Sequence, residues 1–231
     1  MTTRAPRTRP PRAQPREAYH HGSLREALIE ASEALLAERG LEGFSLREVA
    51  RRSGVSPAAP AHHFGDVDGL LAAVAIQAFD GLTAALEAGN LRGGDDPVAR
   101  LREQGVGYVS FALNHPGRFS LMFRAGLHRT EALQRSAHAA FETLERGVRD
   151  LYRVPPSAAL DRAQWSSLIS IWSVVHGFAH LALAGQFDGF GAGKADEASL
   201  RASVAPMLQD FLSALRPAAR PPARRHGRGR S

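Results

Sequence analysis

Apolar side chains between residues 17 and 215 recur three and four positions apart, and no stretch shows the apolar–polar alternation of a half-buried strand. Clusters of Gly, Pro and Asp interrupt runs rich in Ala, Leu, Glu and Arg. The pattern predicts an all-α fold with about nine helices and no sheet. The expected helices cover residues 24–39, 46–52, 57–64, 67–88, 97–114, 117–125, 130–152, 158–186 and 196–215.

Several expected helix ends carry residues that satisfy free backbone groups. Ser23 with Glu26, and Ser45 with Glu48, have the spacing of a capping box. Further start signals are the candidate N-caps Asp66 and Thr130 and the prolines Pro57, Pro97 and Pro116 at or near first helical positions. The expected stops are Gly40, Gly54 and Gly126.

Both ends of the chain are basic, whereas the body between them is acidic. Residues 1–16 contain five Arg and residues 216–231 contain six, and neither segment has an Asp or Glu. Both segments are rich in Pro and poor in bulky apolar residues, which predicts disordered arms that attract polyanions without sequence preference. A purely solubilising role is the alternative.

The composition excludes several classes of function. There is no cysteine, so disulfides, cysteine zinc sites and thiol nucleophiles are excluded. The N-terminus is rich in Arg and Pro and has no apolar segment, so no secretory signal is expected. The longest apolar run, residues 171–184, contains two His and is too short to span a bilayer. No arrangement of nucleophile, base and orienting group indicates catalysis. We therefore expect a cytoplasmic protein that is not an enzyme, carries no cofactor and has no membrane partner.

Two short predicted helices, 46–52 and 57–64, are joined by Ser53-Gly54-Val55-Ser56, the layout of a helix-turn-helix. Ala50 and Gly54 are expected where the helices cross closely, above a small core of Val49, Val55 and Phe64. The second helix of such a unit enters the major groove of double-stranded DNA. The candidate DNA-binding residues are Ser45, Arg47, Ser56, Pro57, Ala58, Ala59, His62 and His63.

The segment from Leu24 to Leu71 resembles the DNA-binding head of the TetR family. The resemblance rests on Phe44-Ser-Leu-Arg-Glu-Val-Ala50, Gly54-Val-Ser56 and His62-His-Phe-Gly-Asp66. It implies a helix-turn-helix DNA-binding domain at residues 17–70, a helical ligand-binding and dimerisation domain at residues 71–215, and a homodimer on a palindromic operator. Ala61 and Val67 depart from the family, which usually has there a Tyr and a Lys that hold phosphates.

The head is itself acidic, since residues 17–70 contain nine Asp or Glu against five Arg. Phosphate neutralisation supplies much of the affinity of a protein for duplex DNA. We therefore expect the Arg-rich arm at residues 1–16 to replace the missing phosphate contacts, in a minor groove as homeodomain arms do. Arg51 and Arg52 are weaker candidates for phosphate contact than Arg47.

The second half resembles the TetR subgroup named for a Trp, His and Gly signature in its C-terminal domain. The matching residues are Asn114-His-Pro-Gly-Arg-Phe119, Met122-Phe123, and Trp172 with His176-Gly177. The resemblance places a pocket for a small-molecule effector here, and the candidate ligand-binding residues are Phe111, His115, Phe119, Met122, Phe123, Trp172 and His176. Phe178 is a further candidate, and the alternative for each is an ordinary core position.

Three other features of the second half have specific interpretations. His176 and His180 have the spacing of a two-histidine metal site, but no carboxylate lies three or four residues away, so no metal is expected. The glycine-rich run 189–194 is interpreted as an interhelical loop and not as a phosphate loop. The helices 158–186 and 196–215 resemble the family's dimer-forming pair, with expected interface residues Leu168, Ile171, Val175, Ala179, Ala182, Leu200, Val204, Leu208, Phe211 and Leu215.

The sequence thus predicts a repressor that an effector releases from its operator by shifting the spacing of two heads. One alternative is a protein that coats nucleic acid non-specifically through its Arg-rich ends. Another is a ligand-binding or protein-interacting module that has lost DNA binding, which the acidic head, Ala61 and Val67 favour.

Overall fold

The computed structural model describes residues 17–124, 127, 130–187 and 197–215, which form nine α-helices and no strand. The helices are α1 (Glu17–Arg39), α2 (Leu46–Arg52), α3 (Ala59–Phe64), α4 (Val67–Gly93), α5 (Pro97–Asn114), α6 (Pro116–Met122), α7 (Glu131–Tyr152), α8 (Arg162–Leu183) and α9 (Glu197–Leu215). The all-α prediction is confirmed. The basic arms, Gly126 and the glycine-rich run 189–194 lie outside the described residues.

The chain divides into two compact units, one ending at Leu70 and the other beginning at Leu71. The first contains α1 to α3, and the second contains α5 to α9 together with most of α4.

The first unit is built on the buried face of α1. Leu28, Ile29 and Leu35 are fully buried, as is Val49 on α2, because these helices pack their apolar faces together. Val55 and Phe64, which were expected beside Val49 in this core, are only half-buried.

Most predicted helix caps are present. The side chain of Asp66 accepts a hydrogen bond from the N–H of Gly69 at 2.8 Å, and that of Thr130 accepts from Leu133 at 3.2 Å. Ser45 caps α2 by accepting from the N–H of Glu48 at 3.2 Å. Asp96 caps α5 in front of Pro97. Gly40 and Gly54 follow their helices with positive φ angles of 62° and 67°.

Two long helices, α1 and α8, begin at other residues than expected. The helical backbone begins at Glu17 and runs through Ser23, so Ser23 is not a cap; a Ser-x-x-Glu spacing also occurs inside helices, and Gly22 costs only about 1 kcal/mol there. α8 begins at Arg162 instead of residue 158, because Asp161 and Gln164 form a reciprocal capping box.

In the second unit, α5 is the central helix. It packs against α6, α7, α8 and α9, and its buried residues lie on nearly every side of the helix. Gly105 and Gly107 leave room for these neighbours, since a Cβ at Gly105 would lie 2.4 Å from Leu208 Cδ1 and one at Gly107 would lie 2.7 Å from the carbonyl oxygen of Ala85. Small side chains on α5 therefore allow helices to pack on several faces at once.

A row of small residues lets α4 and α5 pack closely in the second unit. Gly81, Ala85, Gly89 and Gly93 follow one another every fourth residue and so share one face of α4. A Cβ at Gly89 would lie 2.6 Å from the carbonyl oxygen of Glu103, and one at Gly93 would lie 2.4 Å from the Cα of Arg100. The two backbones are thus in direct contact.

The faces of α8 and α9 that were expected at a subunit interface instead fill the chain's own core. Leu168, Ile171, Val175 and Ala179 are buried, as are Val204 and Leu208. Ala182, Phe211 and Leu215 are half-buried, and the side chain of Leu200 is not among those described. The expectation was wrong because periodicity identifies an apolar face without showing whether its partner belongs to the same chain.

A buried carboxylate joins three helices of the second unit. Glu103 on α5 is 5% exposed and lies 2.7 Å from Nη1 of Arg201 on α9 and 3.6 Å from Nε of Arg92 on α4. Burial alone would raise the pKa of Glu103, but hydrogen bonds from Arg201 and Arg102 leave that pKa below its usual value. The carboxylate is therefore charged and fixes α4, α5 and α9 relative to one another.

Candidate nucleic-acid interface and ligand cavity

The turn between α2 and α3 depends on the backbone conformation of Gly54. Its φ of 67° lies in the left-handed region, which side chains with a Cβ rarely adopt. A Cβ added there would meet nothing within 4 Å, so the expected close helix crossing at Gly54 is not the reason for glycine. The N–H of Val55 then donates to the carbonyl of Ala50 at 3.0 Å and closes the turn.

Helix α3 begins at Ala59, two residues later than expected. Pro57 and Ala58 form a turn, and the carbonyl of Ser56 accepts from the N–H of Ala59 at 3.0 Å. Pro60 stands in the first turn of the helix, where its missing N–H costs no helical hydrogen bond, and its ring is buried.

One side of the turn and of α3 is open to solvent. Ser56, Pro57, Ala58 and His62 are exposed, whereas Ala59 and His63 are half-buried. Ala61 is exposed beside His62. Phe64 lies on the opposite side under the guanidinium of Arg25, whose Cζ is 5.1 Å from the ring centroid. The exposed side thus contains mostly small apolar groups and one imidazole.

The positive charge of α2 is largely paired within the first unit. Arg51 donates to both carboxylate oxygens of Glu48 at 2.8 Å. Arg52 donates to Glu48 at 3.1 Å and to both oxygens of Glu38 on α1, at 2.6 and 2.9 Å. The hydrogen bonds from Arg51, then those from Arg52, lower the pKa of Glu48 to about 2. Glu48 therefore does not complete the predicted capping box with Ser45.

Arg47 differs from its two neighbours. It is exposed near the start of α2, and among the described residues it forms no ion pair. Ser45 is also exposed, with its hydroxyl oxygen accepting from the backbone of α2. Arg47 is the arginine of α2 whose charge is available to a phosphate.

The second unit contains a cavity of about 560 Å³ between α4, α5, α6, α7 and α8, and it is partly open to solvent beside the exposed residues Arg124, Gln134 and His138. Its described walls are mostly aliphatic and aromatic. They comprise Phe79, Leu82, Leu86, Leu101, Gln104, Gly105, Tyr108, Met122, Phe123, Arg124, Leu127, Leu133, Gln134, Ala137, His138, Ala140, Phe141, Leu144, Ile171, Trp172 and Val175. The volume lies in the range of small-molecule pockets, which are mainly apolar with a few placed polar groups.

The candidate ligand-binding residues divide between this cavity and its surroundings. Met122, Phe123 and Trp172 line it. Phe119 is fully buried behind the wall, with its ring centroid 5.7 Å from that of Tyr108 and 5.2 Å from that of Phe123. His176 also lies behind the wall, where a 2.8 Å hydrogen bond joins its Nδ1 to the hydroxyl of Tyr108.

Phe111 and His115 lie away from this cavity. They line a smaller cleft of about 300 Å³ with Gly81, Gly107 and other residues. A Cβ at Gly81 would lie 3.1 Å from Cε2 of Phe111, so this ring packs against α4 beyond the end of the cavity. Phe178 is half-buried, with its ring centroid 4.8 Å from that of Phe187.

Burial changes the pKa values of Tyr108 and His176, the hydrogen-bonded pair behind the cavity wall. It raises the pKa of the Tyr108 phenol above its usual value. Burial and the nearby His180 lower the pKa of His176. Both groups are therefore neutral near pH 7 and supply no charge to the cavity wall.

Sequence reasoning missed Gln104, a polar side chain that lines the cavity and is 2% exposed. The sequence does contain a signal for its burial. Gln104 lies three residues after Leu101 and four before Tyr108, which places it on the apolar face of α5. Its Nε2 donates to Oδ1 of Asn90 at 2.6 Å and lies 3.5 Å from the carbonyl oxygen of Thr143. Its Oε1 has no hydrogen-bond partner among the described residues.

The described residues contain no candidate metal site, and two of their helices are long and apolar enough to cross a membrane. No group of three or more His, Cys, Asp or Glu in the described parts of the chain could hold a metal ion, and the His176 and His180 rings lie 4.5 Å apart without a carboxylate. By length and hydropathy alone, α4 and α8 could each cross a membrane. Core helices of folded proteins pass the same test, and both helices contribute to the buried core of the second unit.

Two family models match the chain. Residues 28–74 match the model described as bacterial regulatory proteins, tetR family, and residues 101–207 match the tetracyclin repressor-like C-terminal domain. The first covers the helix-turn-helix, and the second covers most of the unit that holds the cavity. This chain belongs to the TetR family.

Individual relatives agree with this assignment. This TetR-family chain is 40% identical over 78 residues to the HTH-type transcriptional regulator BetI of Burkholderia thailandensis, a match that spans 34% of the chain and 40% of that relative. A solved structure of a protein with unknown function from Rhodococcus sp. RHA1 is 31% identical, with a TM-score of 0.66, covering 84% of this chain and 98% of that one. The TetR-family regulator PfmR from Thermus thermophilus shares the fold at 18% identity and a TM-score of 0.57, covering 85% and 97%.

Proposed function

We propose that this TetR-family protein is a cytoplasmic, homodimeric repressor that binds a palindromic DNA operator through residues 17–70 and is released by a small-molecule effector bound within residues 71–215. The observation that carries the proposal is the pairing, in one chain, of an exposed helix-turn-helix with an apolar cavity of about 560 Å³. An exposed apolar surface and a large cavity both reduce packing in the folded protein. Stability of the fold therefore does not account for either feature.

The DNA contacts divide by chemistry. Arg47 and the hydroxyls of Ser45 and Ser56 contact phosphates, which fix the register of α3. His62 and His63 offer imidazole nitrogens to base edges. Pro57, Ala58 and Ala59 offer apolar surface that fits the methyl group of thymine in the major groove. The Arg-rich arm at residues 1–16 supplies the phosphate contacts that Ala61 and Val67 cannot make.

Effector binding acts on DNA binding through α4. This helix is continuous from Val67 to Gly93, and its Phe79, Leu82 and Leu86 line the cavity. A ligand that repacks these side chains shifts α4, and with it the spacing of the two recognition helices in the dimer. Release is then a population shift between two head separations.

The dimer forms through the surface that α8 leaves unburied. Trp165, Ile169, Ser173, Gly177 and Leu181 follow one another every fourth residue and form a ridge, here called the α8 ridge. Trp165 is 42%, Ile169 48% and Leu181 49% exposed. A Cβ added at Gly177 would meet no atom within 4 Å, so a second backbone can approach there. Two such ridges interdigitate in a symmetric pair.

The C-terminal domain is of the subgroup with the Trp, His and Gly signature. Support comes from Trp172, which lines the cavity, and from His176 behind its wall, whose ring lies 6.3 Å from that of Trp172. The ring of Phe123 lies 6.5 Å from that of Trp172 and 4.6 Å from that of His176.

Selection of duplexes from a random pool, with the full chain at near-physiological salt, tests the proposal. A two-fold symmetric motif with half-sites about one helical turn apart is expected, because a dimer presents two heads at that spacing. The same selection with residues 17–215 should recover the same motif at lower affinity.

Enrichment without any motif, with strong salt dependence, would instead identify a protein that coats nucleic acid through its arms. No retention of duplex would identify a module without DNA function. Either result contradicts the proposed operator binding.

A further inference from the structure

We infer that the cavity binds an amphipathic monoanion, a carboxylic acid with one bulky apolar end. The apolar end lies among the aromatic and aliphatic walls, and the carboxylate stays at the solvent-exposed mouth against the guanidinium of Arg124. The inference rests on the proposed function, since it names the chemical class of the effector. It is carried by the separation of apolar and polar residues between the interior and the mouth of one cavity.

The mouth of the cavity is defined by the lining residues that are exposed. Of the described lining residues only Arg124, Gln134 and His138 are exposed, and all three are polar. Gln134 and His138 lie about one turn apart on α7, and Arg124 follows the end of α6. The other described lining residues are buried or half-buried, and most are aliphatic or aromatic. The cavity therefore has a polar edge at the side that is open to solvent.

The charge at this polar edge is positive. Arg124 forms no ion pair within the described parts of the chain, and no Asp or Glu is among the described lining residues. Nε2 of His138 lies 3.2 Å from a carboxylate oxygen of Glu142 on the same helix, so this imidazole already has a counter-charge. A ligand ammonium group would meet a like charge at Arg124. A carboxylate can instead accept two parallel hydrogen bonds from a guanidinium.

The interior of the cavity has no group that could compensate a charge. Its described polar side chains are those of Gln104 and Tyr108, which are 2% and 5% exposed. Nε2 of Gln104 donates to Asn90, and the hydroxyl of Tyr108 is hydrogen-bonded to Nδ1 of His176. Both side chains are neutral, because burial raises the pKa of Tyr108 above its usual value and an amide does not titrate. A carboxylate inside would lose its water without gaining a counter-charge, so it stays at the mouth.

The walls favour a bulky apolar body on the ligand. The ring centroids of Phe123 and Phe141 lie 6.5 and 6.1 Å from that of Trp172. Planar apolar groups pack well against the faces and edges of such rings. The volume of about 560 Å³ leaves room for two fused or linked rings. Such a body gains affinity by leaving water, and the carboxylate determines which end faces the mouth.

The test uses two pairs of probes of nearly equal shape that differ in charge: 2-naphthylacetate with 2-naphthylacetamide, and 4-biphenylacetate with 4-biphenylacetamide. Isothermal titration of the full chain near pH 7, without DNA, gives a dissociation constant for each. Each acid should bind the wild type more tightly than its amide, although the amide is easier to remove from water. The ratio of the amide constant to the acid constant measures the preference for an anion.

Two matched variants locate the preference. Arg124→Gln removes the positive charge and keeps a polar side chain, so the ratio should fall about fivefold, an effect between those of an exposed ion pair and of a charge-assisted hydrogen bond. Arg135→Gln makes the same change at an exposed arginine of α7 that is not among the lining residues, and it should leave the ratio unchanged. Added salt should lower the ratio in the wild type and have little effect on it in Arg124→Gln, because salt screens an exposed ion pair.

A third variant tests whether the apolar end of the probes lies in the cavity. Ala137→Phe adds a ring at a half-buried lining position of α7. It should weaken the binding of acid and amide by similar factors, because it fills space in the cavity and leaves Arg124 in place. Undiminished binding of both would place the probes elsewhere and overturn the inference. If Ala137→Phe does not fold, Leu144→Phe makes the corresponding test at another half-buried lining position of the same helix.

Equal or weaker binding of the acids by the wild type would overturn the inference, as would a ratio that Arg124→Gln leaves unchanged or a failure of all four probes to bind. Release of a selected duplex by 2-naphthylacetate and by its amide is measured separately. A preference for the acid that depends on Arg124, without release, supports the inference and contradicts the proposed repressor mechanism. Release that acid and amide cause equally does the reverse.

Discussion

At the scale of single residues, Glu48 controls how much positive charge α2 presents to a phosphate. Its carboxylate accepts from Arg51 and Arg52, and Arg52 is held a second time by Glu38. Exposed ion pairs of this kind add little stability, but they fix where the guanidinium groups point. Arg47 forms no ion pair among the described residues and is therefore the arginine of α2 that we propose contacts a phosphate.

Exchanging Arg47 for alanine should weaken binding to the selected duplex and reduce the slope of log affinity against log salt concentration by about 1, because one phosphate contact is lost. Arg51→Ala is the matched control on the same helix. Its guanidinium is held by Glu48, so the slope should not change. Fluorescence anisotropy titrations at four salt concentrations measure both. Equal slopes in the two variants would exclude Arg47 as a phosphate contact.

Glu48→Gln should lower the melting temperature at pH 7, and the difference from the wild type should shrink in acid. Glu48 has a folded pKa of about 2, below its ordinary value of 4.5, so its contribution to stability is present above pH 4.5 and is lost as the pH falls towards 2. Thermal unfolding followed by circular dichroism between pH 7 and pH 2.5 measures the difference. A difference that stays constant with pH would show that the Glu48 carboxylate is not the cause.

At the scale of elements, α8 has apolar residues on two faces. One face, with Leu168, Ile171 and Val175, fills the core of the second unit. The other carries the α8 ridge, in which Trp165 stacks on Phe141 with ring centroids 6.2 Å apart, while Ile169 and Leu181 are about half exposed. A helix with apolar residues on both faces is expected where it lies between a core and a subunit interface.

Leu181→Asp should convert the proposed dimer to monomers, because a charge placed in a packed apolar interface is not compensated. Leu91→Asp makes the same substitution at a leucine of α4 that is 85% exposed and lies outside the ridge, so the dimer should persist. Size-exclusion chromatography with light scattering gives the mass of each variant. Monomers from both variants, or dimers from both, would contradict a dimer interface on the α8 ridge.

At the scale of the whole molecule, charge is divided between the ends and the body of the chain. The chain has a formal charge of +6, yet residues 17–70 hold nine acidic residues against five Arg. A DNA-binding domain of this charge repels its ligand at long range. The Arg-rich arm next to it is the nearest source of compensating charge along the chain.

Deleting residues 2–16 should weaken binding to the selected duplex and flatten its salt dependence, because up to five arginine–phosphate contacts are lost. Deleting residues 217–231 removes a segment of similar charge from the other end and should have the smaller effect on the slope. The comparison uses the same anisotropy titrations. A salt slope that the first deletion leaves unchanged would show that the arm does not contact DNA.

Much of the local structure could be predicted, and its exceptions have physical causes. Asp66 and Thr130 cap their helices as expected, because a cap involves only neighbouring residues. The predicted helix start at Ser23 was wrong, because α1 begins at Glu17 and continues through Ser23. Ser45 caps α2 as expected. The side chain of Glu48, its expected capping-box partner, instead accepts hydrogen bonds from Arg51 and Arg52, and Arg52 also binds Glu38 on α1. That competition depends on a helix that is distant in sequence.

The sequence by itself determined the helical fold, the helix-turn-helix and the family, because these follow from periodicity, capping and turn residues within short stretches. Only the tertiary structure decided which apolar face of α8 is core, that Phe111 and His115 lie outside the cavity, and that the buried Gln104 is among its lining residues. The reason is that an apolar stripe has the same appearance in the sequence whether it meets a neighbouring helix, a second subunit or a ligand. Its partner is fixed only when distant segments of the chain pack together.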